Sequence, residues 1–112
     1  MTLDTAIEYR DGSVSRRSTQ VERTCIVLLQ SELDIAFGFL RLADVETESG
    51  DATHADELIA KASSSYKMVL EGLATVPLEF EEERQLLREG VRMLQDAIRA
   101  VARHRQQDLA LH

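Results

Sequence analysis

The sequence predicts an all-α protein, an up-down-up bundle of three helices (residues 18–112) behind a short N-terminal arm (residues 1–17). Two observations support this fold class. Apolar residues recur at helical spacing in three long segments. Breakers at Gly50 and Pro77 separate these segments, so that consecutive helices become antiparallel neighbours. With 112 residues, of which 44% are hydrophobic, the chain is large enough for one domain with a modest core.

The arm differs in composition from the rest of the chain. In "TAIEYRDGSVSRR" the apolar residues Ile7, Tyr9 and Val14 alternate around Asp11-Gly12. An Asp-Gly pair between alternating residues is typical of a β-hairpin. An isolated hairpin is only marginally stable. The arm is therefore predicted either to be mobile or to form a short hairpin that docks on the bundle.

Helix 1 is predicted over residues 19–48. Thr19 and Glu22 match a capping box, and Gly50 can adopt the left-handed conformation that often ends a helix. Gly38 lies inside this helix, where it costs about 1 kcal/mol relative to Ala unless it marks a close approach of another helix.

Helix 1 is too apolar for a helix with one buried face. One predicted stripe contains Cys25, Leu28, Leu29, Leu33, Ala36, Leu40 and Ala43, and a second contains Ile26, Ile35, Phe39 and Leu42. Two neighbouring helices cover only part of this surface, so a partner chain is expected to cover the remainder. We predict an interaction surface that includes Ile35, Phe39 and Leu42, and a possible homodimer through helix 1. Cys25 is predicted to be a buried, inert thiol.

Helices 2 and 3 are predicted over residues 52–74 and 78–106, followed by a frayed tail. Helix 2 carries a stripe of Ala55, Leu58, Ile59, Ala62, Tyr66, Val69, Leu70 and Leu73. Pro77 disfavours helical backbone at Val76, which ends helix 2. The stripe of helix 3 consists of Phe80, Leu87, Val91, Leu94, Ile98 and Val101.

The segment "ESGDATHADE" concentrates carboxylates around His54 between helices 1 and 2. As a turn, it uses Gly50 to reverse the chain and either Asp51 or Thr53 to cap helix 2. As a metal site, it would use Asp51, His54 and Glu57. These three positions spread over more than a quadrant of a helix, and no further ligand segment is evident. The turn interpretation is therefore preferred, and no metal and no cofactor are predicted.

The segment from Leu42 to Ala62 resembles a tetratricopeptide-type helical hairpin. Its small residues Ala43, Gly50, Ala55 and Ala62 match the spacing of that family, with Leu42 and Ile59 at neighbouring packing positions. The resemblance implies close helix packing and peptide or protein binding. It covers a single hairpin, and no second copy occurs at the repeat period.

Arginines recur at helical spacing along helix 3, at Arg84, Arg88, Arg92, Arg99 and Arg103. One interpretation is a docking surface for an acidic partner or for nucleic acid, centred on the first three. The other is a solvated face paired with Glu89, Asp96 and acidic residues of neighbouring helices, and this interpretation is preferred. No aromatic residues interleave to stack on nucleic-acid bases.

Arg99 and His104 have an R-x4-H spacing that resembles the ribonuclease motif of the helical higher-eukaryote-and-prokaryote nucleotide-binding family. The resemblance implies a dimeric ribonuclease in which Arg99 binds phosphate and His104 acts as general acid or base. The polar residue that often follows the arginine in that family is Ala100 here.

The net charge and the lack of targeting signals limit the classes of function that the sequence allows. A net charge of -7 argues against broad nucleic-acid binding. No secretory signal and no membrane span is evident, so a cytoplasmic protein is predicted. The leading hypothesis is a non-enzymatic interaction or assembly module with a protein partner, and the alternative is the small ribonuclease.

Overall fold

A computed structural model describes the backbone of residues 2–111 and the side chains of residues 20–107. Three α-helices are present: α1 (Thr2–Ser49), α2 (Ala52–Leu73) and α3 (Glu81–Leu111), with a 3₁₀ helix at Leu78–Phe80 ahead of α3. No strand occurs in residues 2–111, and the predicted all-α three-helix class is confirmed.

The outer ends of α1 and α3 differ from the predicted bounds. α1 begins at Thr2 rather than at Thr19, and α3 continues to Leu111. A capping sequence permits a helix start but does not enforce one, whereas proline or a left-handed glycine interrupts a helix. The backbone of residues 2–17 is helical, so the hairpin that was one alternative for the N-terminal arm does not form there. The other alternative, a mobile arm over residues 1–17, and the frayed C-terminal tail stay predictions.

Contacts along α1 establish the up-down-up order. α1 and α2 are antiparallel, because Leu29 lies against Gly72 near the end of α2, whereas Glu46 lies against His54 near its start. α1 and α3 run in the same direction, because contacts along both helices advance together: Leu33 with Gly90, then Asp44 with His104. α2 also packs on α3, so each helix contacts both of the others.

The first turn follows the preferred interpretation of "ESGDATHADE". Gly50 has a φ of +89°, in the left-handed region, and its amide donates to the carbonyl of Thr47. The Asp51 carboxylate accepts a hydrogen bond from the amide of His54, 3.1 Å away, and thereby caps α2. Of the two capping residues considered, the structure uses Asp51.

The second turn is formed at Pro77. Pro77 has extended backbone angles (φ −65°, ψ 153°), and the chain then passes through the 3₁₀ helix into α3. Val76 and Phe80, on either side of the proline, are both buried. The connection is therefore part of the core and fixes how α3 enters the bundle.

The core of α2 and α3 follows the predicted stripes except at three residues, Leu70, Ser65 and Arg105. Leu70 is 46% exposed, whereas Ser65, which lies outside the predicted stripe, is buried, and its hydroxyl donates to Glu32 of α1 at 2.7 Å. The hydrogen bond lets a polar side chain occupy a buried position. Small residues pack where α1 meets α2: Ala43, Ala55 and Ala62 are fully buried. The tetratricopeptide resemblance itself stays a prediction.

The buried face of α1 differs from the predicted stripe. Ile26 is buried, whereas Leu28 is 61% exposed and Cys25 is exposed, so the prediction of a buried thiol is wrong. The observed core face continues the spacing of three and four residues upstream from the middle of the helix, through Ala43, Leu40, Ala36, Leu33, Leu29 and Ile26. Leu28 and Cys25 belong to a neighbouring face of the same cylinder.

Within residues 2–111, no helix combines the length and the apolar character that a membrane span requires.

Candidate functional site

An uncharged face runs along α1 on the side away from α2 and α3. Its large members are all about half exposed or more: Val21 62%, Leu28 61%, Ile35 49%, Leu42 52% and Val45 57%. Thr24, Ser31 and Gly38 fill the positions between them. These eight residues, here called the outer face of α1, follow a continuous spacing of three and four residues, which is the spacing of a coiled-coil contact.

Large and small side chains alternate along the middle of the outer face. Leu28, Ser31, Ile35, Gly38 and Leu42 follow one another in that order. A Cβ placed on Gly38 would meet only the Nη2 atom of Arg41, at 3.9 Å, whereas Cβ atoms on Gly72 or Gly90 would meet leucines of α1. Gly38 therefore has no neighbour from another helix among the described residues, and the alternative that it marks a close approach of a second helix does not apply within the chain.

Two opposite charges flank the outer face. Asp34 and Arg41 both follow Val27 at seven-residue spacing, which places them on one side of this face, and both are exposed. Among the ion pairs of residues 20–107, none involves either side chain. Both charges are therefore available to a partner.

Phe39, the third apolar residue of the predicted interaction surface, lies elsewhere. It is partly buried and packs against the core, and the Lys61 ammonium lies 5.8 Å from its ring centroid. A cation–π contact of this kind attracts the ring of Phe39 on α1 to the ammonium group of Lys61 on α2. Ile35 and Leu42 thus share the outer face, and Phe39 belongs to the contact between α1 and α2.

The three predicted surface arginines of α3 also separate. Arg84 is half-buried: its Nε has no hydrogen-bond partner among the described residues, and its Nη1 lies 4.0 Å from Glu81. Arg88 and Arg92 are exposed and border a shallow depression formed by α3 alone, together with Glu81, Glu82, Gln85, Leu86 and Glu89. The carboxylates around the depression give it mixed charge, so it has no strong preference for an anion.

Arg99 and His104, the pair of the R-x4-H spacing, lie on different sides of α3. Residues five apart in a helix are separated by about 140° around its axis. Arg99 is exposed, whereas His104 faces α1, with its Nδ1 3.2 Å from the Asp44 carboxylate. The sequence did not indicate Asp44, because it comes from another helix sixty residues earlier.

A second polar pair lies at the same end of the bundle. The guanidinium of Arg105 is largely buried, and its Nε donates to Asp56 of α2 at 3.1 Å. Arg105 occupies the next core position after Val101 on α3, so its charge is held inside a stripe that is otherwise apolar. The pair connects the start of α2 to the C-terminal part of α3.

Of the metal ligands considered from the sequence, Asp51 and His54 come together and Glu57 does not. Their third neighbour is Glu46, and the ligand atoms of Glu46, Asp51 and His54 lie within 4.8 Å of one another. Existing contacts already engage these groups, since Asp51 caps α2 and the Glu46 carboxylate lies 3.5 Å from His54 Nδ1. The cluster is explained by the turn that it stabilises.

Comparison of the chain with protein-family profiles, curated proteins and solved structures finds no match. The functional argument therefore depends on the geometry of the chain itself.

Proposed function

We propose that this protein is a non-enzymatic helical assembly module that binds a second copy of itself through the outer face of α1. The observation that supports the proposal is an uncharged, half-exposed face that spans residues 21–45 of one helix. Exposed apolar side chains that occur singly need no explanation, but a continuous row marks an interaction site.

The charge of the chain supports a neutral contact between copies. Two chains of net charge -7 repel each other unless the contacting surfaces carry little charge. None of the eight residues of the outer face is ionisable. An exposed face without charge on an acidic, highly charged protein is the part that a second copy can approach at the lowest electrostatic cost.

The magnitudes predict a reversible dimer. Full burial of a large apolar side chain contributes about 1.5–3 kcal/mol, so five half-exposed side chains on each of two copies contribute about 10 kcal/mol together. Association costs about 4–15 kcal/mol in lost translational and rotational freedom. Because the two terms are of similar size, we expect a dimer that dissociates on dilution rather than an obligate one.

Sedimentation velocity over a range of concentrations tests the proposal. Ile35→Asp places a charge in the middle of the outer face and should abolish association while circular dichroism shows unchanged helix content. Leu86→Asp is the matched control, because Leu86 is also an exposed leucine, 63% accessible, but lies on α3. A wild-type chain that stays monomeric up to its solubility limit refutes the proposal, as does equal loss of association in both variants.

A chain that begins at Ser18 supplies a second control. Association that survives this truncation belongs to the described part of α1. A chain that associates only after truncation would show that residues 1–17 cover the outer face in the full-length protein.

The ribonuclease remains the second candidate, and one contact favours it. Asp44 engages Nδ1 of His104, which orients the imidazole and leaves Nε2 available for proton transfer. Incubation of the pure protein with RNA, with His104→Ala as the comparison, tests this activity. Cleavage by the wild-type chain that is lost in His104→Ala would replace the assembly module as the leading function.

A further inference from the structure

We infer that the second copy binds antiparallel, with Ile35 of each copy packed over Gly38 of the other and with Asp34 of each copy beside Arg41 of the other. This inference rests on the proposed function, since it specifies how the outer faces of two α1 helices meet. It assigns a direction, a register and a pair of intermolecular contacts.

The alternation of side-chain size selects the direction. In a parallel pair of helices each position meets itself, so Gly38 would face Gly38 and Ser31 would face Ser31, which leaves voids between large residues. In an antiparallel pair the order is reversed, so that Ile35 can meet Gly38 and Leu42 can meet Ser31 at the centre of the contact. Alternating large and small residues across facing positions lets a helix contact close without voids.

The chain already uses this type of contact twice. Gly72 of α2 lies against Leu29, and Gly90 of α3 lies against Leu33, so that a Cβ on either glycine would overlap a leucine of α1. Gly38 is a third glycine within a helix, and no apolar side chain of the described residues covers it. Ile35 of a second copy has the shape and chemistry to fill this position.

The flanking charges select the register. An antiparallel register can be named by the sum of the numbers of two residues, one from each copy, that lie at the same height along the helix axis. In the register with a sum of 73, Ile35 lies over Gly38, Leu42 lies over Ser31, and Leu28 meets Val45. Asp34 and Arg41 then lie on the same side of the contact, offset by two residues, which is about 3 Å along the axis. The two-fold axis makes this contact twice, so the interface gains two ion pairs of opposite charge.

Other registers are less favourable. If the numbers add to 66, the size alternation is retained, but Asp34 lies beside Asp34 of the second copy, and like charges meet at the two-fold axis. In the register with a sum of 59, Leu42 and Val45 of one copy lie opposite residues 17 and 14 of the other. Both positions come before Val21, where the outer face begins. Flanking charges thus choose among registers that packing alone permits, as they do in coiled coils.

A charge-exchange experiment tests the ion pairs. Asp34→Arg and Arg41→Asp should each weaken dimerisation about tenfold in sedimentation equilibrium, because each creates two like-charge contacts. The double variant restores the pairs with their signs reversed, and its affinity should return to within about twofold of the wild type. Two single-variant losses that add in the double variant would overturn the inference, because the two charges would then not meet.

Spin labels test the direction and the register independently. Cys25 is the only cysteine, and it is exposed, so it accepts one label per chain. Glu48→Cys in a Cys25→Ser background provides a second position. Residues 25 and 48 are level in the inferred register, so both labels should give the same distance between copies, about 35 Å along the axis.

The outcomes separate the inference from the proposed function. Short distances at both positions would indicate a parallel dimer, and unequal distances would indicate another antiparallel register. In either case the inference fails and the assembly function stands. A chain that never dimerises contradicts both.

Discussion

Leu33 of α1 lies so close to Gly90 of α3 that a Cβ on residue 90 would come within 2.8 Å of the leucine Cδ1 atom. Leu33 is buried, so it has little room to move aside. The close approach of α1 and α3 at this level therefore depends on the missing side chain of Gly90. Gly38, which lies on the opposite side of α1, has no such neighbour.

The two glycines should respond to alanine with opposite signs. Gly90→Ala gains about 1 kcal/mol of helix propensity but costs about 1–3 kcal/mol of overpacking, so we expect a net loss of up to about 2 kcal/mol. Gly38→Ala gains the propensity without a clash and should raise the free energy of unfolding by about 1 kcal/mol. Urea denaturation at low protein concentration measures both. Stabilisation by Gly90→Ala would show that the contact with Leu33 is not tight.

Two adjacent leucines of α3 should differ strongly in their contribution to stability. Leu87 is 1% exposed, whereas Leu86 is 63% exposed. Leu87→Ala should lower the free energy of unfolding by about 2–5 kcal/mol, because it removes core contacts and leaves a cavity. Leu86→Ala should change it by less than about 0.5 kcal/mol. Thermal denaturation of the two variants checks the register of α3, and similar losses would contradict it.

The contact between Arg105 and Asp56 should show measurable coupling. Arg105 is largely buried, but Asp56 is 61% exposed, so solvent screening limits the interaction to about 1 kcal/mol. Arg105→Ala should cost more than Asp56→Ala, because the arginine side chain also packs in the core. A double-mutant cycle in urea measures the coupling, with Glu57→Ala as the control on an exposed neighbour. Strictly additive losses would show that the pair does not interact.

The carboxyl group of Glu22, which interacts with Glu79, should make stability depend on pH. Desolvation raises the pKa of Glu22 above its ordinary value, and the charge of Glu79 and a hydrogen bond to it raise the pKa further. A carboxyl group with a raised pKa in the folded state stabilises the protein when protonated, and this contribution is lost as pH rises through the folded-state pKa. The dependence should therefore appear above about pH 4.3, the ordinary value for glutamate.

Glu22→Gln isolates this effect. The variant should melt at a higher temperature than the wild type at pH 7, and the difference should shrink as the pH is lowered towards 4. Glu57→Gln, on an exposed part of α2, is the control for the loss of one surface carboxylate. A constant difference across this pH range would mean that Glu22 does not titrate differently in the folded state.

The extent to which the sequence predicted the fold differs between helices. α3 and the 3₁₀ helix before it have one apolar stripe on a polar background, so periodicity alone identified six core residues. Five of them are buried and Ile98 is partly buried; the five are Phe80, Leu87, Val91, Leu94 and Val101. α1 is apolar on more than one side. Periodicity then permits several stripes, and only packing against α2 and α3 decided that Ile26 is buried and that Leu28 is exposed.

The candidate site was predicted in part. An excess of apolar residues on helix 1 indicated an uncovered face and identified Ile35 and Leu42, which are about half exposed. Phe39 was assigned to the same face, but its ring packs towards α2 and Lys61. The seven-residue recurrence of Val21, Leu28, Ile35 and Leu42 is visible in the sequence and could have identified the complete row.

By itself, the sequence determined where the chain turns and how many helices it forms. Gly50 and Pro77 restrict the backbone locally, and helical periodicity is a property of neighbouring residues, so neither requires knowledge of the fold. Tertiary structure alone decided which face of α1 is covered, that Gly90 accommodates Leu33, and that Asp44 meets His104. These contacts join residues more than fifty positions apart, and their distances depend on how the helices pack.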